Sequence, residues 1–158
     1  MADPTSTPTR ATVPDSQLAA WRSFLEAHAR VIEVLSRELR EEADLPLSWY
    51  DVLVHLSEAP GDQLRMQELA DAVLLSKSGL TRLIDRMQRE GLVNRSACPD
   101  DRRGTYAQLT TAGRDRLRDA APTHLRGVRD HFADLFDDDE ARQLDALLRR
   151  VAEGRTTG

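Results

Sequence analysis

Lys77, Ser78, Thr81, Arg82 and Arg86 carry cationic or hydrogen-bonding heads, and Leu80, Leu83, Ile84 and Met87 fall between them. On a helix of 3.6 residues per turn the two sets take largely opposite sides, with Asp85 among the polar ones. The chemistry of the polar side suits a nucleic-acid duplex. An arginine offers two parallel donors that match the guanine edge, and Ser and Thr donate or accept at several bases. Lys77 and Ser78 stand where the helix begins, and free backbone N–H groups there favour phosphate. By itself, such a stripe describes a solvated helix face equally well.

The elements that must position these side chains narrow the choice. Residues 66–73 read as a short helix with Leu69, Ala70 and Val73 inside, and Leu74 and Leu75 as a brief turn. Ser76 is the cap of the longer helix, and Gly91 is its terminating glycine. Residues 92–96 and 105–109 read as two short strands. Between them Ala97-Cys98-Pro99-Asp100-Asp101-Arg102-Arg103-Gly104 forms a polar hairpin loop. Arg102 and Arg103 stand at its tip, where a narrow minor groove attracts arginine, and Asp100 or Asp101 can hold the loop's shape. Two helices joined by a turn and followed by a basic hairpin predict a winged helix-turn-helix.

The formal net charge of −5 over 158 residues argues weakly against a nucleic-acid partner. Its distribution reverses that. Residues 76–103 hold seven basic and four acidic side chains, a local balance of +3. Residues 130–145 hold seven acids and one arginine, a balance of −6. One region attracts polyanions and another repels them. Aromatic residues make up 4% of the chain, so aliphatic side chains must fill the core. No Ser-His-Asp arrangement, phosphate loop, paired carboxylates or metal cluster is apparent, so neither an enzyme nor a cofactor is expected. The single cysteine, Cys98, excludes an intramolecular disulfide and suits a reducing compartment. No apolar run is long enough to cross a bilayer, and residues 1–12 lack the apolar stretch of a secretory signal. A cytoplasmic protein without membrane contact is expected.

Residues 1–14 hold Pro4, Pro8 and Pro14 among polar residues and read as a disordered tail. Asp15 or Ser16 then caps a helix with an apolar stripe of Leu18, Trp21, Leu25, Val31, Ile32, Leu35 and Leu39. Pro46 precedes a second helix, for which Ser48-Trp49-Tyr50-Asp51 reads as a capping box. Thr110 caps a later helix that Pro122 should kink or break before it resumes through Leu125, Val128, Phe132 and Leu135. Asp137-Asp138-Asp139-Glu140 starts the last helix, which carries Leu144, Leu147, Leu148 and Val151. The stripes of the first and last helices find no obvious partner in the small central module. Pairing them between two copies would bury both, and would set two recognition helices about 34 Å apart, one turn of DNA. The expected fold is mainly α with a small β-hairpin wing. A winged helix-turn-helix core at 46–110 is flanked by dimerisation helices at 15–43 and 111–154, forming one domain over 15–154.

Leu69-Ala70 through Leu74-Leu75-Ser76-Lys77-Ser78-Gly79-Leu80-Thr81-Arg82-Leu83-Ile84-Asp85-Arg86-Met87, then Glu90-Gly91-Leu92-Val93, resembles the MarR family of bacterial regulators. So does Asp100-Asp101-Arg102-Arg103-Gly104 followed by Leu109-Thr110 and Gly113. The resemblance spans roughly residues 18–151. It implies a homodimer that binds a pseudo-palindromic DNA operator, usually as a repressor, and often lets go when a small aromatic or phenolic molecule binds. It implies DNA contact by Ser76, Lys77, Ser78, Thr81, Arg82 and Arg86 on the recognition helix and by Arg102 and Arg103 on the wing, with a phosphate contact by Arg95. It also implies an effector site where the dimer helices meet the DNA-reading module, for which Trp21, His28, Trp49, Tyr50 and His55 are candidates by stacking and hydrogen bonding. Two alternatives stand beside this reading. One is an interaction dimer that kept the fold without binding DNA, although the retained arginines speak against it. The other is a redox- or metal-responsive relative. Cys98 is not on the first helix, where peroxide-sensing relatives carry their thiol, and His28, His55, His124 and His131 lack compact ligand spacing.

Overall fold

Pro14 precedes the first helix and a left-handed Asp44 ends it. The computed structural model describes residues 13–73, 75–99 and 101–154, with only the backbone at 101–103. The expected tail thus lies, over residues 1–12, outside the described residues, as do Leu74, Asp100 and the side chains of Arg102 and Arg103. Helix α1 (Asp15–Ala43) takes neither Asp15 nor Ser16 as its cap, because the extended backbone of Pro14 already occupies that position. It runs past Leu39 through Arg40, Glu41, Glu42 and Ala43, all good helix formers. Asp44, at φ 49°, turns the chain with its N–H on the Arg40 carbonyl. Helix α2 (Leu47–Glu58) begins at the residue after Pro46, so Ser48 lies inside it and the expected capping box does not form.

A 3-10 turn (Pro60–Asp62) leads into β1 (Gln63–Arg65) and α3 (Met66–Ala72). Then follow α4 (Lys77–Arg89), β2 (Val93–Cys98), β3 (Asp101–Leu109) and α5 (Thr111–His131), and finally a 3-10 turn (Ala133–Leu135) and α6 (Asp138–Ala152). Strand β1 was not legible in the sequence, since a three-residue strand is too short to show alternation. It pairs antiparallel with β3, Leu64 opposite Ala107, and gives a sheet of order β1-β3-β2. In the wing, Val93 faces Leu109 and Ala97 faces Thr105, with an irregularity at Cys98.

Of the kink or break expected at Pro122, the break does not occur: α5 runs through it as one helix. Proline removes one backbone bond, but α5 packs along α1, and that tertiary contact holds the helix together. The helix stops at His131, so Phe132 and Leu135 lie beyond it and not on it. Gly127 lets the two helices approach closely: a Cβ there would sit 2.6 Å from Leu35 Cδ2 and 2.7 Å from Glu38 Oε2. Glu38 Oε1 and His131 Nε2 are 2.6 Å apart, and Arg126 Nη2 donates to Glu42 Oε2 at 2.5 Å.

The core is aliphatic, as the composition requires. Leu39, Leu45, Val52, Leu53, Leu56, Leu69, Leu80, Ile84, Met87 and Val93 are almost wholly buried, and α2, α3, α4 and the sheet close around them. Helix α6 differs. Asp137 caps it in a capping box with Glu140, yet none of its residues is buried. Leu147 and Val151 are 54% and 70% exposed, and on the outer half of α1 Trp21 is 54% exposed.

Candidate nucleic-acid interface

Helix α4 is held at both ends by local chemistry. Ser76 Oγ accepts the Gly79 N–H at 3.1 Å. At the other end Gly91 takes φ 74°, the Gly91 N–H reaches the Gln88 carbonyl and the Leu92 N–H reaches the Met87 carbonyl, a Schellman closure. Between these ends Leu80, Leu83, Ile84 and Met87 are buried, and Lys77, Ser78, Thr81, Arg82 and Arg86 are exposed. The helix divides as its spacing predicts. Two hydroxyls carry local duties: that of Ser76 caps, and Thr81 Oγ1 donates to the Lys77 carbonyl at 2.8 Å.

Arg95 stands on β2, apart from the exposed arginines. Its Nη1 donates to Asp85 Oδ1 at 2.5 Å and its Nη2 to the Thr81 carbonyl at 3.3 Å. Sequence reading placed Asp85 on the polar side of α4 but not in this pair. Beside it a groove of about 520 Å³ runs between α4 and the wing, lined by Arg65, Gln67, Lys77, Thr81, Arg95 and Thr105 among others. The strands run further into the hairpin than the expected 92–96 and 105–109: β2 reaches Cys98, which pairs with Asp101, so the backbone of Arg102 and Arg103 belongs to β3 and not to a loop. Cys98 is buried, whereas a redox thiol has to be accessible. Among the described residues no group of three or more His, Cys, Asp or Glu is placed to hold a metal ion, and no helix is long and apolar enough to cross a membrane.

A second concavity, of about 960 Å³, opens between α1, α2 and α5. Of the five residues expected in an effector site, His28 and Tyr50 line it. Trp21 lies on the outer half of α1 beside Phe24, with ring centroids 6.1 Å apart. Trp49 turns to another groove with Leu45, Glu90, Leu92 and Arg116. His55 Nε2 lies 3.7 Å from Asp51 Oδ1 and does not line the cleft. Sequence reading missed His124, which α5 brings onto Tyr50 with ring centroids 4.4 Å apart, and it missed Arg40 of α1 and Asp51 and Glu58 of α2, which line the same cleft.

Burial pushes the Tyr50 phenol up, so it stays protonated. Burial also pushes the His124 imidazole below its ordinary 6.5, while the Asp51 carboxylate pulls weakly the other way. Unfolded His124 therefore takes up a proton at higher pH than folded His124. In that window the unfolded chain binds more protons, and stability falls as pH drops through 6.5 toward the folded value. The urea midpoint is expected to fall between about pH 7.5 and about pH 5.5, and His124→Phe, which keeps a ring against Tyr50, to flatten the fall. An unchanged slope in that variant would remove His124 as its cause.

Two helices joined by a turn, then a hairpin folded back beside the second helix, define a winged helix-turn-helix protein. Residues 43–104 match the model of the MarR family. AbsC, a MarR family transcriptional regulator from Streptomyces coelicolor, is 39% identical, with 90% of this chain and 95% of that one covered at a TM-score of 0.83. Sco3205, a MarR family regulator of the same organism solved in complex with DNA, is 34% identical over 96% of this chain and 95% of that one, at a TM-score of 0.87. The HTH-type transcriptional regulator MhqR of Bacillus subtilis is 30% identical over 101 residues, which span 64% of this chain and 66% of that one, just under two thirds. The chain belongs to the MarR family of transcriptional regulators.

Proposed function

We propose that the chain is a homodimeric, cytoplasmic DNA-binding repressor. It grips a pseudo-palindromic operator and releases it when a small aromatic or phenolic molecule enters the cleft between α1, α2 and α5. The observation that carries the reading is the outward face of α4. Lys77, Ser78, Thr81, Arg82 and Arg86 are exposed there together, on a helix capped at both ends and backed by buried Leu80, Leu83, Ile84 and Met87. Thr81, Arg82 and Arg86 read base edges, Ser76, Lys77 and Ser78 meet the duplex at the helix start, where the N–H groups around Lys77 and Ser78 favour phosphate, and Arg102 and Arg103 enter the adjacent minor groove. The likeness to Sco3205, which was solved with DNA, supports the reading.

The homodimer rests on apolar faces that this chain leaves uncovered on α6 and on the outer half of α1. In this division residues 46–110 read the DNA, and 15–43 with 111–154 join the two copies. Release requires the effector to favour the arrangement whose two recognition helices no longer match the operator spacing.

Selection of bound duplexes from a random library tests the proposal. Enriched sites should be inverted repeats with half-sites about 10 base pairs apart, centre to centre. If the dimer makes about 6 phosphate contacts, affinity should drop about 1,000-fold between roughly 50 and 200 mM salt. A pool without sequence preference at low salt would end the DNA-binding reading. Light scattering that gives a monomer would end the homodimer.

A further inference from the structure

We propose that Arg95 is a positioning residue: it ties the wing to α4 through Asp85 and does not itself contact phosphate. The inference rests on the DNA-binding reading above and assigns Arg95 a different role from the one its family resemblance implies. Both ends of the guanidinium are taken. One nitrogen meets the Asp85 carboxylate at 2.5 Å and another the Thr81 carbonyl at 3.3 Å. Thr81 and Asp85 are one helical turn apart, so the planar group lies along the flank of α4. Lysine, a point charge, has no such two-point fit. The side chains of Arg95 and Asp85 are 29% and 38% exposed, so the pair is partly shielded from solvent.

Two consequences follow for DNA. Asp85 shares a surface depression with Arg82 and Arg86. Unpaired, its carboxylate would repel phosphate and compete for those arginines; Arg95 neutralises it from behind. Arg95 also sits near the base of the wing, opposite Ala107 of β3. The turn lies about five residues further along, or about 16 Å at the rise of a strand. A tilt of about 10° at the base would then move the tip by about 3 Å, enough to take an arginine out of a groove only about 6 Å wide.

The test uses the full-length protein and the operator recovered by selection, with Arg95→Ala, Arg95→Lys, Asp85→Asn and the double variant Asp85→Asn/Arg95→Ala. If Arg95 acts through Asp85, Arg95→Ala and Arg95→Lys both weaken binding about 10-fold or more, because neither restores the two-point fit. In the Asp85→Asn background, Arg95→Ala then adds less than about 2-fold. A phosphate contact gives the opposite pattern: Arg95→Lys binds like the wild type, Arg95→Ala lowers the slope by about 1, and its cost is the same in either background. That pattern overturns the proposal. If the wild type binds no duplex, the DNA-binding reading falls separately. The tie is then judged by amide exchange in β2 and β3 without DNA, faster in Arg95→Ala if the tie holds the wing and unchanged if it does not.

Discussion

Replacing Gly113 with alanine is expected to destabilise the protein by about 3 kcal/mol and to abolish operator binding with it. Gly113 is buried in the first turn of α5. A Cβ there would press on the Leu92 carbonyl oxygen more closely than real Cβ atoms come, and would stand 2.8 Å from Leu109 Cδ1. The first of these is backbone and cannot swing aside. It also belongs to a junction that three elements share. Thr110 Oγ1 accepts the Gly113 N–H at 3.0 Å and donates to the Gly91 carbonyl at 2.6 Å, and the Thr110 N–H reaches the Leu92 carbonyl at 3.2 Å. The end of α4, the end of the wing and the start of α5 therefore meet at one point. An added methyl must separate them, and the recognition helix loses its register with the wing. Urea unfolding of Gly113→Ala beside Gly127→Ala makes the comparison. At Gly127 the nearest atoms are side-chain ends, Leu35 Cδ2 at 2.6 Å and Glu38 Oε2 at 2.7 Å, which can move. The Gly113 variant should lose more. Equal losses would mean that the junction yields as easily as a helix-helix contact.

The parts of this fold that were legible in sequence are those that local chemistry decides. Helix α4 announces itself through Ser76, Gly91 and a clean apolar stripe, and the structure places each as expected. Asp137 and Glu140 did the same for α6. What escaped was decided by contacts between distant parts of the chain. Strand β1 exists because β3 lies beside it. Pro122 is tolerated because α1 supports the helix around it. The Asp85–Arg95 pair joins residues ten apart on either side of a turn, and forms only once β2 folds back on α4. His124 reaches Tyr50 from another helix altogether. Tyr50, Asp51 and Val54 share a face of α2 at helical spacing, and Trp49 turns away from it toward another groove, a division that the spacing alone carries.

The exposed arginines of α4 carry the other large effect. Arg82→Ala with Arg86→Ala is expected to cut operator affinity at least about 100-fold, because each well-placed arginine is worth about 1–3 kcal/mol of base recognition. Stability should change by no more than about 0.5 kcal/mol, since both side chains are exposed and the buried stripe of α4 is untouched. That separation matters, because a buried variant such as Gly113→Ala loses DNA binding together with stability. The lysine versions refine the reading. Arg82→Lys with Arg86→Lys keeps the charge and so keeps the salt dependence and the affinity for random duplex. It forfeits the two-donor match to guanine, so preference for the selected operator over random sequence should shrink toward that of the alanine pair. If the lysine protein discriminates as well as the wild type, the arginines serve as phosphate anchors and sequence is read elsewhere along α4 or by the wing. If even the alanine pair binds its operator within about 3-fold of the wild type, this face of the helix does not enter a groove at all.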